Sequence, residues 1–142
     1  METMTTLLAL CRRLIGRTAI RRECGSSSIQ MVILMPALFS IMFLGMQGAL
    51  YYHARTVAIA AAQEGARAAG SQNGTAADGV SAASSFVSDA GGKDVLPGAH
   101  MTGDRSATTA TVTVTGTSLS VIPGWSPAVS QSASVPVERI TR

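Results

Sequence analysis

Charged side chains are absent from a long stretch near the start of this sequence: residues 24–54 contain no Asp, Glu, Lys or Arg. From Ile29 to Tyr52 the only strongly polar residues are Gln30, Ser40 and Gln47. These 24 residues would form a helix about 36 Å long at 1.5 Å per residue, whereas a bilayer core is roughly 30 Å thick. The stretch therefore predicts a single membrane-spanning helix.

Aromatic residues are scarce, at 4% of the chain, and none lies among the arginines that precede the apolar run. Those arginines are Arg12, Arg13, Arg17, Arg21 and Arg22. Nucleic-acid binding needs clustered basic groups with stacking aromatics, so this composition argues against it. A basic arm beside a span favours the cytoplasmic side. We therefore predict a single-pass protein of the cytoplasmic (inner) membrane, with its N-terminus inside and residues 55–142 outside.

Cysteine is nearly absent from this sequence. Its two cysteines, Cys11 and Cys24, both precede the span, and residues 55–142 contain none. That part of the chain therefore cannot hold a disulfide, and the two thiols are interpreted as reduced and unremarkable. The two histidines, His53 and His100, lack Cys, Asp or Glu at metal-ligand spacing, and no Gly-x-Ser-x-Gly elbow occurs. We expect no catalytic residues, no metal, no cofactor and no small-molecule substrate.

Secretory signals have apolar runs of about 7–15 residues. The run here is longer, and no small-x-small cleavage site is clear near its end. These two features favour an uncleaved span over a conventional signal peptide.

Small residues follow the span and predict an Ala-rich extension of the same helix. The candidate helix-packing positions are Gly45, Ala49, Ala58, Ala62, Gly65 and Ala69. The first two form a small-xxx-small pair that would seat another transmembrane helix, although such pairs also arise by chance in an Ala-rich chain. The other four form a seam at helical spacing. The seam packs either on a partner protein or on residues 75–90 of its own chain, and both alternatives stay open.

The rest of the chain predicts a small α+β arrangement. Residues 75–90 indicate a short helix whose apolar face holds Val80, Ala83, Phe86, Val87 and Ala90. Residues 93–106 are interpreted as a loop. Residues 107–115 and 129–138 alternate between apolar and polar positions, which predicts two strands of an antiparallel β-ribbon, with Pro136 at an edge or a strand end.

Together these patterns predict an α+β protein in which a single N-terminal transmembrane helix continues into an Ala-rich helix. A small outer domain with a short helix and an antiparallel β-ribbon follows. The expected boundaries are a basic cytoplasmic leader at 1–25, the helix at 26–70 and the extracytoplasmic domain at 71–142.

Residues 25–67 resemble the TadE-like family of pilus-assembly proteins and pseudopilins of the tight-adherence (Flp-type) pilus system. The resemblance rests on the basic stretch before Gly25, the span with Pro36, and Glu64-Gly65-Ala66-Arg67 in the Ala-rich segment. Without that family resemblance, Glu64 and Arg67 would be read as a solvated ion pair. The resemblance implies an interaction role for this segment, with other pilus-assembly membrane proteins or pilins as partners.

The resemblance also implies processing by a prepilin-type peptidase between Gly25 and Ser26. Pilin-like precursors carry Glu at the fifth mature position, where this chain has Gln30. The neutral amide cannot form the ion pair that such a Glu makes with a neighbour's amino terminus. A protein that remains in the membrane as an assembly factor is therefore one expectation, and a minor pseudopilin is the other. The alternative from another class is an exported small binding domain held by an uncleaved signal-anchor, unrelated to pili.

Overall fold

The computed structural model describes residues 23–138, with side chains from Ile29 onward. Its elements are helix α1 (Glu23–Gly70), helix α2 (Ala76–Asp89), a 3₁₀ turn (Gly92–Asp94), and strands β1 (His100–Arg105), β2 (Thr109–Thr117) and β3 (Ala128–Pro136). The chain divides into two compact units between Met42 and Phe43. The predicted α+β class, with a long apolar N-terminal helix, is confirmed.

The first unit consists, as far as it is described, of the N-terminal part of α1. Its large apolar side chains are exposed, for example Val32 at 72% and Ile41 at 69%. Pro36 lies inside the helix, and the Ser40 hydroxyl donates to the Pro36 carbonyl oxygen at 2.7 Å. This local bond satisfies the Ser40 hydroxyl within a largely apolar stretch of the helix. From Ile29 onward, α1 is long and apolar enough to cross a membrane and is a candidate span.

The second unit, from Phe43 onward and here called the C-terminal unit, contains a three-stranded antiparallel sheet in the order β1-β2-β3. Pairs such as Val112↔Ala133 fix the register of the two long strands. One face buries Ala110, Val112 and Val114, as the alternation predicted. The other face carries hydroxyl pairs, including Thr111 with Ser134 at 2.8 Å. Because β3 is an edge strand that ends at Pro136, the expectation for that proline is also confirmed.

Two details differ from the prediction. Residues 93–106 are not a loop throughout, because β1 pairs with β2 and turns the expected ribbon into a three-stranded sheet. Phe86 was predicted on the buried face of α2, but it remains 36% exposed while Ala83 and Val87 are buried. The buried stripe of α2 is therefore narrower than the sequence pattern indicated, because small side chains suffice where two helices approach closely.

The core of the C-terminal unit is built mainly from small side chains. Among the described residues, seven apolar side chains of α1 are buried in it, and all are Ala or Val: Ala54, Val57, Ala58, Ala61, Ala62, Ala66 and Ala69. The largest fully buried side chains are Leu96, Val112, Val114 and Val129. The C-terminal part of α1 is thus an integral layer of this unit, packed together with α2 and the sheet.

A capping box starts α2. The Asp78 backbone N–H donates to the Thr75 hydroxyl at 3.1 Å, while the Thr75 backbone N–H donates to the Asp78 carboxylate at 2.8 Å. The Thr75 hydroxyl also bonds to that carboxylate at 2.7 Å. These two Thr75 donors, the hydroxyl first, hold the pKa of Asp78 below its usual value, and the charge of Arg105 adds a smaller attraction. The negative carboxylate also suits a helix N-terminus.

The capping box makes stability depend on pH in acid. Because the pKa of Asp78 is lower in the folded chain than in the unfolded chain, its contribution is complete above the usual value of 3.8. The contribution is lost as the pH falls through the lower, folded value. We expect the urea midpoint of the full chain in detergent to fall over this acid range. Asp78→Asn should flatten part of that fall, and an unchanged pH profile would contradict the assignment. Asp89→Asn, at the C-terminal end of the same helix, is the control.

Candidate assembly site

The seam of small residues lies where α1 and α2 make their closest approach. Ala58, Ala62, Gly65 and Ala69 are all buried. A Cβ atom built on Gly65 would lie 2.6 Å from the Gly79 carbonyl oxygen and 3.0 Å from Ala83 Cβ. The two helix backbones therefore touch at a point where only hydrogen fits. Of the two partners considered for the seam, this chain's own α2 and sheet occupy it.

The upstream pair of small residues has different surroundings. Gly45 and Ala49 are exposed, and no described residue outside the helix has an atom within 4 Å of a Cβ atom built on Gly45. Phe43, Leu44 and Met46 are also exposed beside it. This open apolar surface has the small-xxx-small geometry through which transmembrane helices approach one another.

Glu64 and Arg67, which lie in the segment that resembles the family, form an ion pair on the solvent-exposed face of α1. Arg67 Nη1 lies 3.3 Å from Glu64 Oε2, and the side chains are 69% and 51% exposed, respectively. Exposed pairs of this kind contribute only about 0–1 kcal/mol to stability. The pair therefore adds little to the stability of the fold.

Gln47 has a role that the sequence did not reveal. Its side-chain nitrogen donates to the Leu119 carbonyl oxygen at 3.1 Å, and its oxygen accepts from the Val121 N–H at 2.9 Å. The side chain is buried, with 2% of the residue exposed. Both halves of the amide thus tie the β2–β3 loop to α1. The only sequence signal was its polar amide within the apolar run, a feature that Gln30 shares.

Arg105 is a second missed residue. It lies at the end of β1, and its Nη1 donates to the carbonyl oxygens of Ala69, Ser71 and Gly74, with 3.0 Å to Ser71. Carbonyl groups at a helix C-terminus lack partners within the helix, and a cation is favourable there. Arg105 therefore closes the end of α1 and orders the turn into α2.

The processing candidates lie at the start of the described chain. Gly25 and Ser26 fall within helix α1, and Gln30 is exposed on it. Among the described residues, no group of three His, Cys, Asp or Glu side chains is placed to share a metal ion.

In the part of the chain that the structure describes, these features define a mixed α+β protein with one candidate membrane span and a small C-terminal unit. Residues 25–67 match the family model described as "TadE-like protein", which confirms the resemblance over the candidate span and the Ala-rich part of α1. Proteins of the TadE-like family are associated with Tad/Flp pilus systems and are typically non-enzymatic. No curated protein and no solved structure matches the chain.

Proposed function

We propose that the chain is a membrane-anchored assembly protein, or minor pseudopilin, of an Flp-type (tight-adherence) pilus or related secretion system. The family match over residues 25–67 carries this proposal. The segment that matches contains the charge-free apolar run and three of the four seam residues, Ala58, Ala62 and Gly65. Its function would be to hold that unit at the membrane surface and present it to other pilus-assembly proteins or pilins.

The proposed orientation follows from charge. The arm of residues 1–25 carries five arginines and two glutamates, whereas residues 55–142 carry equal numbers of basic and acidic groups. The excess of Arg favours the arm on the cytoplasmic side of the cytoplasmic membrane and the C-terminal unit outside. In this arrangement residues 1–25 are a leader, residues 26–70 the anchor and its extension, and residues 71–142 complete the outer domain.

Two kinds of surface support contact with partners. Gly45 and Ala49 offer a close approach to another transmembrane helix. β1 and β3 each leave one edge of the sheet unpaired by another strand of the sheet, and exposed edges accept an added strand. Gln30, as a neutral amide in place of the usual carboxylate, favours a resident assembly protein over a filament subunit.

Processing gives a first test. In cells with a prepilin-type peptidase, we expect mass spectrometry of membrane fractions to find a mature chain beginning at Ser26. Gly25→Val should block the cut, because the peptidase requires a small residue before the bond, whereas Gly16→Val within the same arm should not. An intact leader in such cells would contradict the processing proposal. A cut after Ala54 would instead indicate ordinary signal peptidase.

The assembly role is tested separately. Deleting the gene from a host that assembles an Flp-type pilus should remove or reduce surface fibres, and the full chain should restore them. Photo-crosslinkers at Gly45 and Ala49 should capture pilus membrane proteins, with a crosslinker at exposed Ser84 on α2 as the comparison. Unchanged fibres together with no pilus protein in the crosslinks would favour the exported binding domain on a signal-anchor.

A further inference from the structure

The loop between β2 and β3, residues 118–127, has a fixed conformation and is here called the Trp125 loop. The Ser118 N–H donates to the Pro127 carbonyl oxygen at 2.9 Å, and this bond joins the two ends of the loop. At its tip, the Trp125 N–H donates to the Ile122 carbonyl oxygen at 3.2 Å around Pro123 and Gly124. Gly124 has φ +82°, as the third position of a type II turn requires. The loop therefore presents its side chains in a defined direction.

Gln47 fixes the position of the loop along α1. Its two hydrogen bonds hold Leu119 and Val121 beside the turn of helix that follows Met46. Met46 is an exposed apolar side chain, and the first charged residue after it is Arg55. The loop is thus attached about two turns of helix before the charge-free stretch of α1 ends at Arg55. In a membrane-spanning helix, the end of the charge-free stretch lies close to the bilayer interface.

The Trp125 loop and the groove beside it are lined by uncharged residues in the part of the chain that the structure describes. Trp125 is 50% exposed and Leu119 is 39% exposed. A groove of about 330 Å³ lies between the loop and α1, with Leu44, Tyr51 and Pro127 among its lining residues. Residues 106–137 contain no Asp, Glu, Lys or Arg. Exposed apolar surface of this kind usually has an occupant.

We infer that the Trp125 loop is a second membrane contact, seated in the headgroup–acyl boundary of the same bilayer that α1 spans. The inference rests on the proposed membrane anchoring. The groove continues the exposed apolar surface of Phe43, Leu44 and Met46, so that one lipid layer covers both. Trp and Tyr favour this boundary because their rings are apolar and their N–H or O–H groups reach water. The contact would hold the C-terminal unit against the membrane.

The chain contains one tryptophan, so its fluorescence reports on this loop without labelling. The full chain is reconstituted in phosphatidylcholine vesicles, and vesicle flotation after alkaline washing verifies insertion. We expect Trp125 emission to be blue-shifted, strongly quenched by lipids brominated near the headgroup, and weakly quenched by aqueous iodide. The matched control moves the reporter: Trp125→Phe with Gln72→Trp places it on an exposed residue beyond the end of α1. The tryptophan at position 72 should be quenched strongly by aqueous iodide and weakly by the brominated lipids.

The outcomes separate the loop from the anchor. A chain that floats while iodide, and not brominated lipid, quenches Trp125 would refute the loop contact and leave the anchoring intact. Protection of Trp125 from both quenchers would also refute it and indicate a protein occupant, such as a second copy. A chain that does not float would refute the anchoring itself. In a floated chain, Gln47→Met should release the loop and raise iodide quenching of Trp125 several-fold, whereas Gln30→Met should leave it unchanged.

Discussion

Gly65→Val should lower the free energy of unfolding of the C-terminal unit by about 3 kcal/mol, the upper part of the usual range for overpacking a well-filled site. A Cβ atom at this position would lie 2.6 Å from the Gly79 carbonyl oxygen and 3.0 Å from Val112 Cγ1. The carbonyl belongs to the backbone of α2, so relief requires the whole helix to move away from α1. Gly65→Ala should cost less, about 1–2 kcal/mol, because Ala also favours the helix by about 1 kcal/mol.

The measurement is urea unfolding of the full chain in mild detergent, followed by far-ultraviolet circular dichroism. Gly45→Ala is the matched control, because it places the same methyl group on the same helix with nothing within 4 Å. Its effect should be neutral or slightly stabilising, so the two alanine variants should differ in sign. A Gly65→Ala variant as stable as Gly45→Ala would show that the two helices are not in contact at this point.

Regular patterns in the sequence were sufficient to predict the long elements. The length of the charge-free run predicted the apolar part of α1, and the Ala-rich stretch at helical spacing predicted its continuation to Gly70. The alternation of Val and Thr predicted β2 and its buried face. Strand β1 could not be predicted in this way, since His100–Arg105 has no apolar alternation and contains Gly103. That glycine is required because a Cβ atom there would lie 2.7 Å from the Ala76 carbonyl oxygen.

The candidate site was predictable only where its signal was local. The spacing of Ala58, Ala62, Gly65 and Ala69 identified a packing seam, but not which surface would cover it. Gln47 and Arg105 were missed because their partners are far away in sequence: Gln47 bonds to residues 72 and 74 positions later, and Arg105 reaches 36 positions back to Ala69. No local pattern records such contacts, because they depend on how the elements pack.

Removing the guanidinium of Arg105 should have an effect as large as overpacking Gly65. Arg105→Met keeps most of the side chain's apolar length but removes the donor shared by the Ala69, Ser71 and Gly74 carbonyls. Hydrogen bonds from a charged donor contribute about 1.5–3 kcal/mol each, and three bonds from one nitrogen do not add fully. We expect a loss of about 2–4 kcal/mol in the free energy of unfolding.

Two further variants identify the origin of that loss. Arg105→Lys keeps the positive charge near the end of α1 but not the guanidinium that makes these bonds, so it should recover only part of the stability. Arg67→Met is the matched control, because it removes an arginine whose ion pair with Glu64 is exposed. Its cost should stay within about 1 kcal/mol. If Arg105→Met lowered the free energy of unfolding no more than Arg67→Met, the three carbonyls would be satisfied by water. The end of α1 would then not depend on Arg105.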